Sequence, residues 1–154
     1  MKVCWLSAGV SSFVAGWLER ETIDHYAYID IDDQHPDSMR FIKDCEKLLG
    51  KPVEILKSPY GGVNRVIQQF RYVNGVAGAK CTDVLKRRVR KQWEDTQKES
   101  LVYVWGYDCD ERNRAKRLEE AMPEFGHEFP LIRHELTKED AHGIARTLGI
   151  ARPV

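Results

Sequence analysis

Ser7-Ala8-Gly9-Val10-Ser11-Ser12 places three hydroxyls and a glycine between the apolar run Val3-Cys4-Trp5-Leu6 and a helix-like segment beginning at Phe13. Strand, small-residue loop and helix, in that order, aim unpaired backbone N–H groups and the positive end of a helix dipole at one point. Such a point suits a phosphate. Gly9 lets the backbone approach closely, Val10 follows it into the helix, and Ser7, Ser11 and Ser12 add hydroxyl donors. An ordinary tight turn would use the same residue types. No Gly-Lys-Ser/Thr follows, so the loop is not a Walker A motif. It also lacks the GxGxxG pattern of a dinucleotide site.

Other residues with chemical capacity cluster after further apolar runs. Asp30, Asp32 and Asp33 could hold Mg²⁺ through one or two carboxylates together with ligand phosphates, or hydrogen-bond a ribose. Helix capping is the alternative use of such aspartates. His35 stands beside Pro36 at the same edge. Lys86 opens the basic run Lys86-Arg87-Arg88-Val89-Arg90-Lys91 and could reach a terminal phosphate or sulfate as a point charge. The rest of the run reads as a solvated face or a contact for a polyanion. Arg112 and Arg114 can fork onto phosphate oxygens, or form surface ion pairs with Glu111 or Glu119. Cys81 precedes a helix, where a thiol becomes more reactive, although free cysteines are commonly buried packing residues.

The elements that would position these residues alternate. Apolar runs at Val3–Leu6, His25–Ile31, Pro52–Leu56, Leu101–Tyr107 and Phe129–His134 read as strands. Helical spacing runs to about Glu21, from Pro36 to Gly50, over Val63–Tyr72, Thr82–Gln97 and Glu111–Met122, and from Thr137 to about Leu148. This alternation predicts an α/β fold: a doubly wound, mostly parallel five-stranded sheet, order 3-2-1-4-5, with helices on both faces. Ligands of such sheets bind beyond the carboxyl ends of the strands, at the switch point. The rule gathers Ser7–Ser12, Asp30 to Asp33, and Gly106 with Tyr107 and Asp108 at one edge.

Composition sets the remaining bounds. The 154 residues suit one domain, with 24 basic residues balanced by 24 acidic. Net charge therefore gives no indication of nucleic acid, which stays open as a partner, as does self-association into a homo-oligomer. No apolar run approaches the roughly 20 residues of a membrane span, and the N-terminus lacks signal-peptide regions. Cys4, Cys45, Cys81 and Cys109 form no CxxC pair, which points to a reducing, cytoplasmic setting without a zinc knuckle.

Four ordered segments carry a family resemblance: Ser7–Ser12; Asp30-Ile31-Asp32-Asp33-Gln34-His35-Pro36-Asp37-Ser38; Lys80-Cys81-Thr82-Asp83-Val84-Leu85-Lys86; and Gly106-Tyr107-Asp108 followed by Glu111-Arg112-Asn113-Arg114-Ala115. Together they resemble the phosphoadenosine phosphosulfate reductase family of the adenine nucleotide alpha-hydrolase-like (PP-loop) superfamily, over nearly the whole chain. The resemblance implies an adenine nucleotide, ATP or phosphoadenosine phosphosulfate, and chemistry at a phosphate or phosphosulfate. It implies phosphate binding by Ser7, Gly9, Val10, Ser11, Ser12 and Arg112, and nucleoside binding by Asp30, Ile31, Asp32 and Gly106. Lys86 and Arg114 would be catalytic, and Asp32 and Asp33 would hold any Mg²⁺.

Three departures qualify the match. Ala8 stands where the family has a second glycine. Ser11 replaces the aspartate that helps place magnesium-bound pyrophosphate in ATP-cleaving relatives. The nucleophilic cysteine of the reductases' C-terminal tail has no counterpart before Val154. Two further readings follow: a thioredoxin-dependent reductase domain without its tail, or a non-catalytic nucleotide-binding or interaction module.

Overall fold

The computed structural model of the chain describes residues 1–30, 37–57 and 86–153. Five strands are present: β1 (Lys2–Leu6), β2 (His25–Asp30), β3 (Val53–Lys57), β4 (Val102–Val104) and β5 (Gly126–Glu128). They form one sheet in the order β3-β2-β1-β4-β5, the order expected from the alternation of strands and helices. β1 runs parallel to both β2 and β4, and β4 runs parallel to β5. The described helices are α1 (Val10–Leu18), α2 (Ser38–Leu49), α3 (Arg88–Asp95), α4 (Arg112–Ala121), α5 (Pro130–Arg133) and α6 (Lys138–Thr147).

Register shows how the sheet is covered. Cys4 pairs with Tyr26 on one side and Val104 on the other, so these three side chains share a face. Tyr26 donates its hydroxyl to the Gly16 carbonyl at 2.8 Å, which fixes α1 on that face. A Cβ on Gly16 would lie 2.9 Å from the Tyr26 ring and 3.0 Å from the Cys4 sulfur, so the helix sits closer than alanine would permit. Tyr103 pairs with His127 on the opposite face. There His127 Nε2 meets the carbonyl of Met122, just past α4, at 2.8 Å. Helices α1 and α4 thus cover opposite faces, as a doubly wound sheet requires. Val3, Cys4, Phe13, Val14, Tyr26 and Tyr103 are fully buried between these layers.

Two strand expectations need correction. The segment Phe129–His134 is not the last strand: Pro130–Arg133 is a short helix with Pro at its first position. The last strand is Gly126–Glu128, which pairs with Val102–Val104. The fourth strand is shorter than Leu101–Tyr107: Trp105 N–H still reaches the Glu128 carbonyl at 3.0 Å, and the chain leaves the ladder from Gly106 onward. The helix expected over Glu111–Met122 is present as α4, preceded by a 3₁₀ turn, Cys109–Glu111. The segments Val63–Tyr72 and 82–85 lie outside the described residues.

The chain divides into two compact units. The first comprises Met1–Tyr28, Pro36–Glu54 and Glu99–Val154, and the second Ile29–His35 and Ile55–Lys98. In the first unit Arg40 bonds Asp44 at 2.9 Å and Asp37, and donates to the carbonyls of Ala151 and Arg152, tying the last residues to α2. Among the described residues, no helix is long and apolar enough to cross a membrane.

Candidate functional site

β1 delivers the chain at Leu6, and the loop turns through Ala8 at φ +54°, a left-handed conformation that favours glycine. This is the position where the resemblance expects glycine. The alanine keeps that backbone at some conformational cost. Gly9 follows in extended conformation (φ −116°, ψ 152°) and is the N-cap of α1. It has no side chain to cap the helix, and no side-chain cap bond is made. The first intrahelical bond runs from Phe13 N–H to the Gly9 carbonyl, at 3.4 Å. Val10, Ser11 and Ser12 therefore start the helix with N–H groups that have no intrahelical acceptor.

The serines differ in what they do. Ser12 is 5 % exposed. Its hydroxyl donates to the Gly9 carbonyl (3.1 Å), accepts from Ser7 N–H (3.0 Å), and lies 3.2 Å from the Ser7 hydroxyl. With its one proton spent on Gly9, Ser12 Oγ accepts from both Ser7 groups. Ser12 thus closes the loop. Ser11, in the first turn, has no hydrogen-bond partner for its hydroxyl among the described residues. It holds no negative charge to repel an anion.

Gly106 arrives from β4 against the same turn. A Cβ there would lie 2.5 Å from both the nitrogen and the Cα of Ser12, and 2.9 Å from the carbonyl carbon of Ser11. Backbone meets backbone here, and only glycine fits. The exits of β1 and β4, neighbours at the switch point, are thereby pressed together.

Beyond Gly106 the chain builds a small polar turn. Asp108, 5 % exposed, accepts from Asp110 N–H at 2.9 Å, while Glu111 accepts from Asp108 N–H at 3.3 Å. This capping box sets the direction of α4. Arg112 donates through Nε to the Cys109 carbonyl at 3.1 Å. Arg114 pairs with Glu111 at 2.6 Å and lays its guanidinium over the Tyr107 ring, 5.2 Å from the centroid. Both arginines are exposed. The Arg114–Glu111 pair realises the surface alternative weighed from sequence. A pair with 61 % of its arginine side chain exposed is also easily exchanged for a phosphate.

Sequence reasoning missed three features. It placed Asp108 at the strand edge but not its use as a buried helix cap. The left-handed turn at Ala8 could be found only through the family comparison at that position. A half-buried aromatic layer forms where Trp105, Tyr107, His127 and Phe129 stack at centroid separations of 5.9–6.5 Å. Its signal is the alternation Tyr103-x-Trp105-x-Tyr107 and Phe125-x-His127-x-Phe129. Trp105 donates its indole N–H to His127 Nδ1 at 3.0 Å, so the imidazole carries its proton on Nε2, facing the Met122 carbonyl. Tyr107 lies between Arg114 and Phe129.

Among the described residues the thiols are held protonated. Burial pushes Cys4 and Cys45 well above the ordinary thiol range, with Asp44 and Cys4 adding to the shift of Cys45. Desolvation, then the carboxylates of Asp110 and Asp108, raise Cys109.

Other predicted residues belong to the second unit. Asp30 ends β2 in the second unit, 3.9 Å from Lys57 Nζ, and Lys86 belongs to that unit, half-buried just before α3. Ile31, Asp32, Asp33, His35 and Cys81 lie outside the described residues. Among the described residues no group of three potential ligands could hold a metal ion. The structure thus brings together Ser7, Gly9, Val10, Ser11, Ser12 and Gly106, with Arg112 and Arg114 on the helix after the β4 exit.

No protein-family model and no curated protein sequence matches the chain. Solved structures do. Phosphoadenylyl-sulfate (PAPS) reductase from Candida auris, in a phosphate complex, superposes with a TM-score of 0.68 at 11 % identity, covering 99 % of this chain and 74 % of that one. This chain has the reductase fold. A predicted tRNA methyltransferase subunit from Methanocaldococcus jannaschii superposes with a TM-score of 0.55 at 20 % identity, covering 95 % of this chain and 74 % of that one. The reductase-like fold extends over nearly all of this chain and matches the architecture expected from the four sequence segments.

Proposed function

We propose that this chain is an adenine-nucleotide-binding domain of the PP-loop type, acting at a phosphate or phosphosulfate held by Ser7–Ser12. One observation carries the reading: an uncapped first turn of α1, begun by Gly9 and backed by Gly106, with N–H groups at Val10, Ser11 and Ser12 that have no intrahelical acceptor. The Candida auris neighbour, named as a phosphate complex, supports an anion in this fold. Arg112 and Arg114 supply mobile positive charge beside the β4 exit, suited to oxygens that become more negative during bond cleavage. Gly106 and Asp30 would serve the nucleoside.

Magnesium fits this reading through Asp32 and Asp33, outside the described residues. When bound, it would neutralise the ligand's phosphate charge. Ser11 supplies a neutral hydroxyl where ATP-cleaving relatives carry a carboxylate, so the loop itself holds an anion without a metal-binding charge. That neutral loop favours, as a second reading, binding without cleavage.

Titration calorimetry with ATP and with phosphoadenosine phosphosulfate, each with and without Mg²⁺, tests the proposal. Saturable binding of one of them, displaced by pyrophosphate, is the expected outcome. Heat signals absent for both ligands would end the nucleotide reading. Binding without turnover of either would select the non-catalytic module.

A further inference from the structure

We propose that the stripe Lys138–His142–Arg146 of α6, together with Arg152, is a binding site for a multiply charged phosphate anion, distinct in its residues from the Ser7–Ser12 loop. α6 runs from Lys138 to Thr147 and packs on α1, with Ala141 and Ala145 only 0 % and 2 % exposed. A helix turns about 100° per residue, so residues four apart share a side and stand about 6 Å apart along the axis. Lys138, His142 and Arg146 form such a series. Lys138 and Arg146 are exposed, and His142 between them is half-buried. After α6 the chain is fixed on α2, where Arg40 donates to the carbonyls of Ala151 and Arg152 at 2.8 and 3.1 Å. Those bonds use the backbone of Arg152, and the residue remains exposed.

Three cations act on one imidazole. His142 is held below its ordinary pKa first by burial, then by the charges of Arg152, Lys138 and Arg146. The arrangement opposes the helix that carries it. Like charges one turn apart are destabilising, and Lys138 in the first turn faces the positive end of the dipole. The neighbouring carboxylates are turned to other uses. Asp140 lies on the side of α6 away from His142 and caps the helix with Thr137. Glu139, on the flank, borders the cleft lined by Trp17, Leu136 and Ile144, with Arg146 at its rim. Asp37 and Asp44 of α2 both bond Arg40. α1 carries no charged side chain. Among the described residues, Lys138, Arg146 and Arg152 have no ion-pair partner.

This chemistry selects the ligand. Guanidinium groups fork onto phosphate oxygens, and an ammonium meets them as a point charge. A singly charged anion would leave two of the three cations unmatched. A multiply charged anion offsets the repulsion that suppresses protonation of His142, so binding takes up a proton there and adds a donor. Affinity therefore rises as pH falls through the His142 titration. Free polyphosphate and the backbone of a nucleic acid present the same groups. This inference does not depend on the nucleotide reading.

Proton NMR of the His142 imidazole in the full chain, assigned with His142→Gln, tests it. Its titration is followed with and without inorganic tripolyphosphate, at ionic strength matched with sodium chloride, because screening alone moves a histidine beside cations. We expect tripolyphosphate to raise the His142 pKa. Arg146→Ala with Arg152→Ala should raise that pKa in the ligand-free protein and remove the further rise. The same pair should weaken tripolyphosphate binding at this site by about tenfold or more. Arg146→Lys with Arg152→Lys, which keeps the charge, should keep both the suppression and the rise. Circular dichroism melts report folding, and should the alanine pair fail to fold, Lys138→Ala alone must diminish the rise. A short single-stranded oligonucleotide that raises the His142 pKa at lower concentration than tripolyphosphate, with the same dependence on Arg146 and Arg152, supports the site and identifies its phosphates as a nucleic-acid backbone. Tripolyphosphate held only at Ser7–Ser12 would leave His142 unmoved. An unmoved titration overturns the proposal, as does a rise of equal size in the alanine pair.

Discussion

Residue identity sets the Ser7–Ser12 loop through small groups and one misfit. Ala8 occupies the left-handed region at φ +54°, where a Cβ is strained by about 1–2 kcal/mol. Glycine relieves that strain but loses more entropy on folding. Ala8→Gly should therefore raise stability by roughly 0.5–1 kcal/mol in urea denaturation, without altering the slope of the transition. A lower midpoint would mean that the alanine methyl contributes packing. Arg114 tests the ligand side. It is exposed, stacks on Tyr107 and pairs with Glu111 on its own helix, so little of the fold depends on it. Arg114→Ala should leave the melting curve in place while weakening nucleotide binding by about 1.5–3 kcal/mol, the range for a charge-assisted hydrogen bond. Unchanged affinity in calorimetry would assign Arg114 to the solvated surface.

The elements show which parts of the fold were legible and why. β1 and α1 could be read directly, because a short apolar run, a Gly/Ser loop and a helical apolar stripe follow one another without interruption. The strand order followed from alternation and crossover handedness. β5 was misread because its residues, Gly126-His127-Glu128, carry no apolar alternation. The neighbouring Phe129–Ile132 does look like a strand, yet Pro130 fits the first turn of a helix and Leu131 is buried from there. Edge position explains the difference: a short outer strand needs ladder bonds more than a hydrophobic pattern. The meeting of Gly106 with the α1 turn was legible only as gathering at an edge, not as close approach of two backbones. Gly106→Ala would force a methyl to within 2.5 Å of Ser12. We expect a loss of about 1–3 kcal/mol of stability, the usual cost of overpacking, together with loss of nucleotide binding. Wild-type affinity in this variant would separate the loop geometry from ligand capture.

For the whole molecule, buried thiols couple stability to pH. Cys4 and Cys45 have ordinary values of 9.0 in the unfolded chain and are raised by burial in the fold. The folded state keeps these protons while the unfolded state releases them as pH passes about 9. Their stabilising contribution is therefore complete below that pH and declines above it, by up to about 1.4 kcal/mol per pH unit for each thiol. Urea titrations between neutral and alkaline pH should show a steeper decline for the native chain than for Cys45→Ala. Equal slopes would place the alkaline sensitivity in other groups.

The same protonation governs redox chemistry. Reduction of phosphoadenosine phosphosulfate requires a thiolate that reaches the sulfur and is then released by thioredoxin through disulfide exchange. Cys4 lies within β1 and Cys45 within α2, both buried, so neither can travel to a ligand at the strand ends. Cys109 is more accessible and follows β4, but Asp108 and Asp110 oppose its ionisation and no cysteine adjoins it in sequence to act as a resolving thiol. The fold shared with the Candida auris reductase therefore has no ready nucleophile among the described residues. Incubated with thioredoxin and phosphoadenosine phosphosulfate, this 154-residue chain should release no sulfite above the protein-free control. Robust release abolished by Cys109→Ser would show that ligand binding overcomes the flanking carboxylates. Release abolished by Cys81→Ser would move the redox chemistry to the segment preceding Lys86. Either result would replace phosphate-directed chemistry with reduction as the function of the chain.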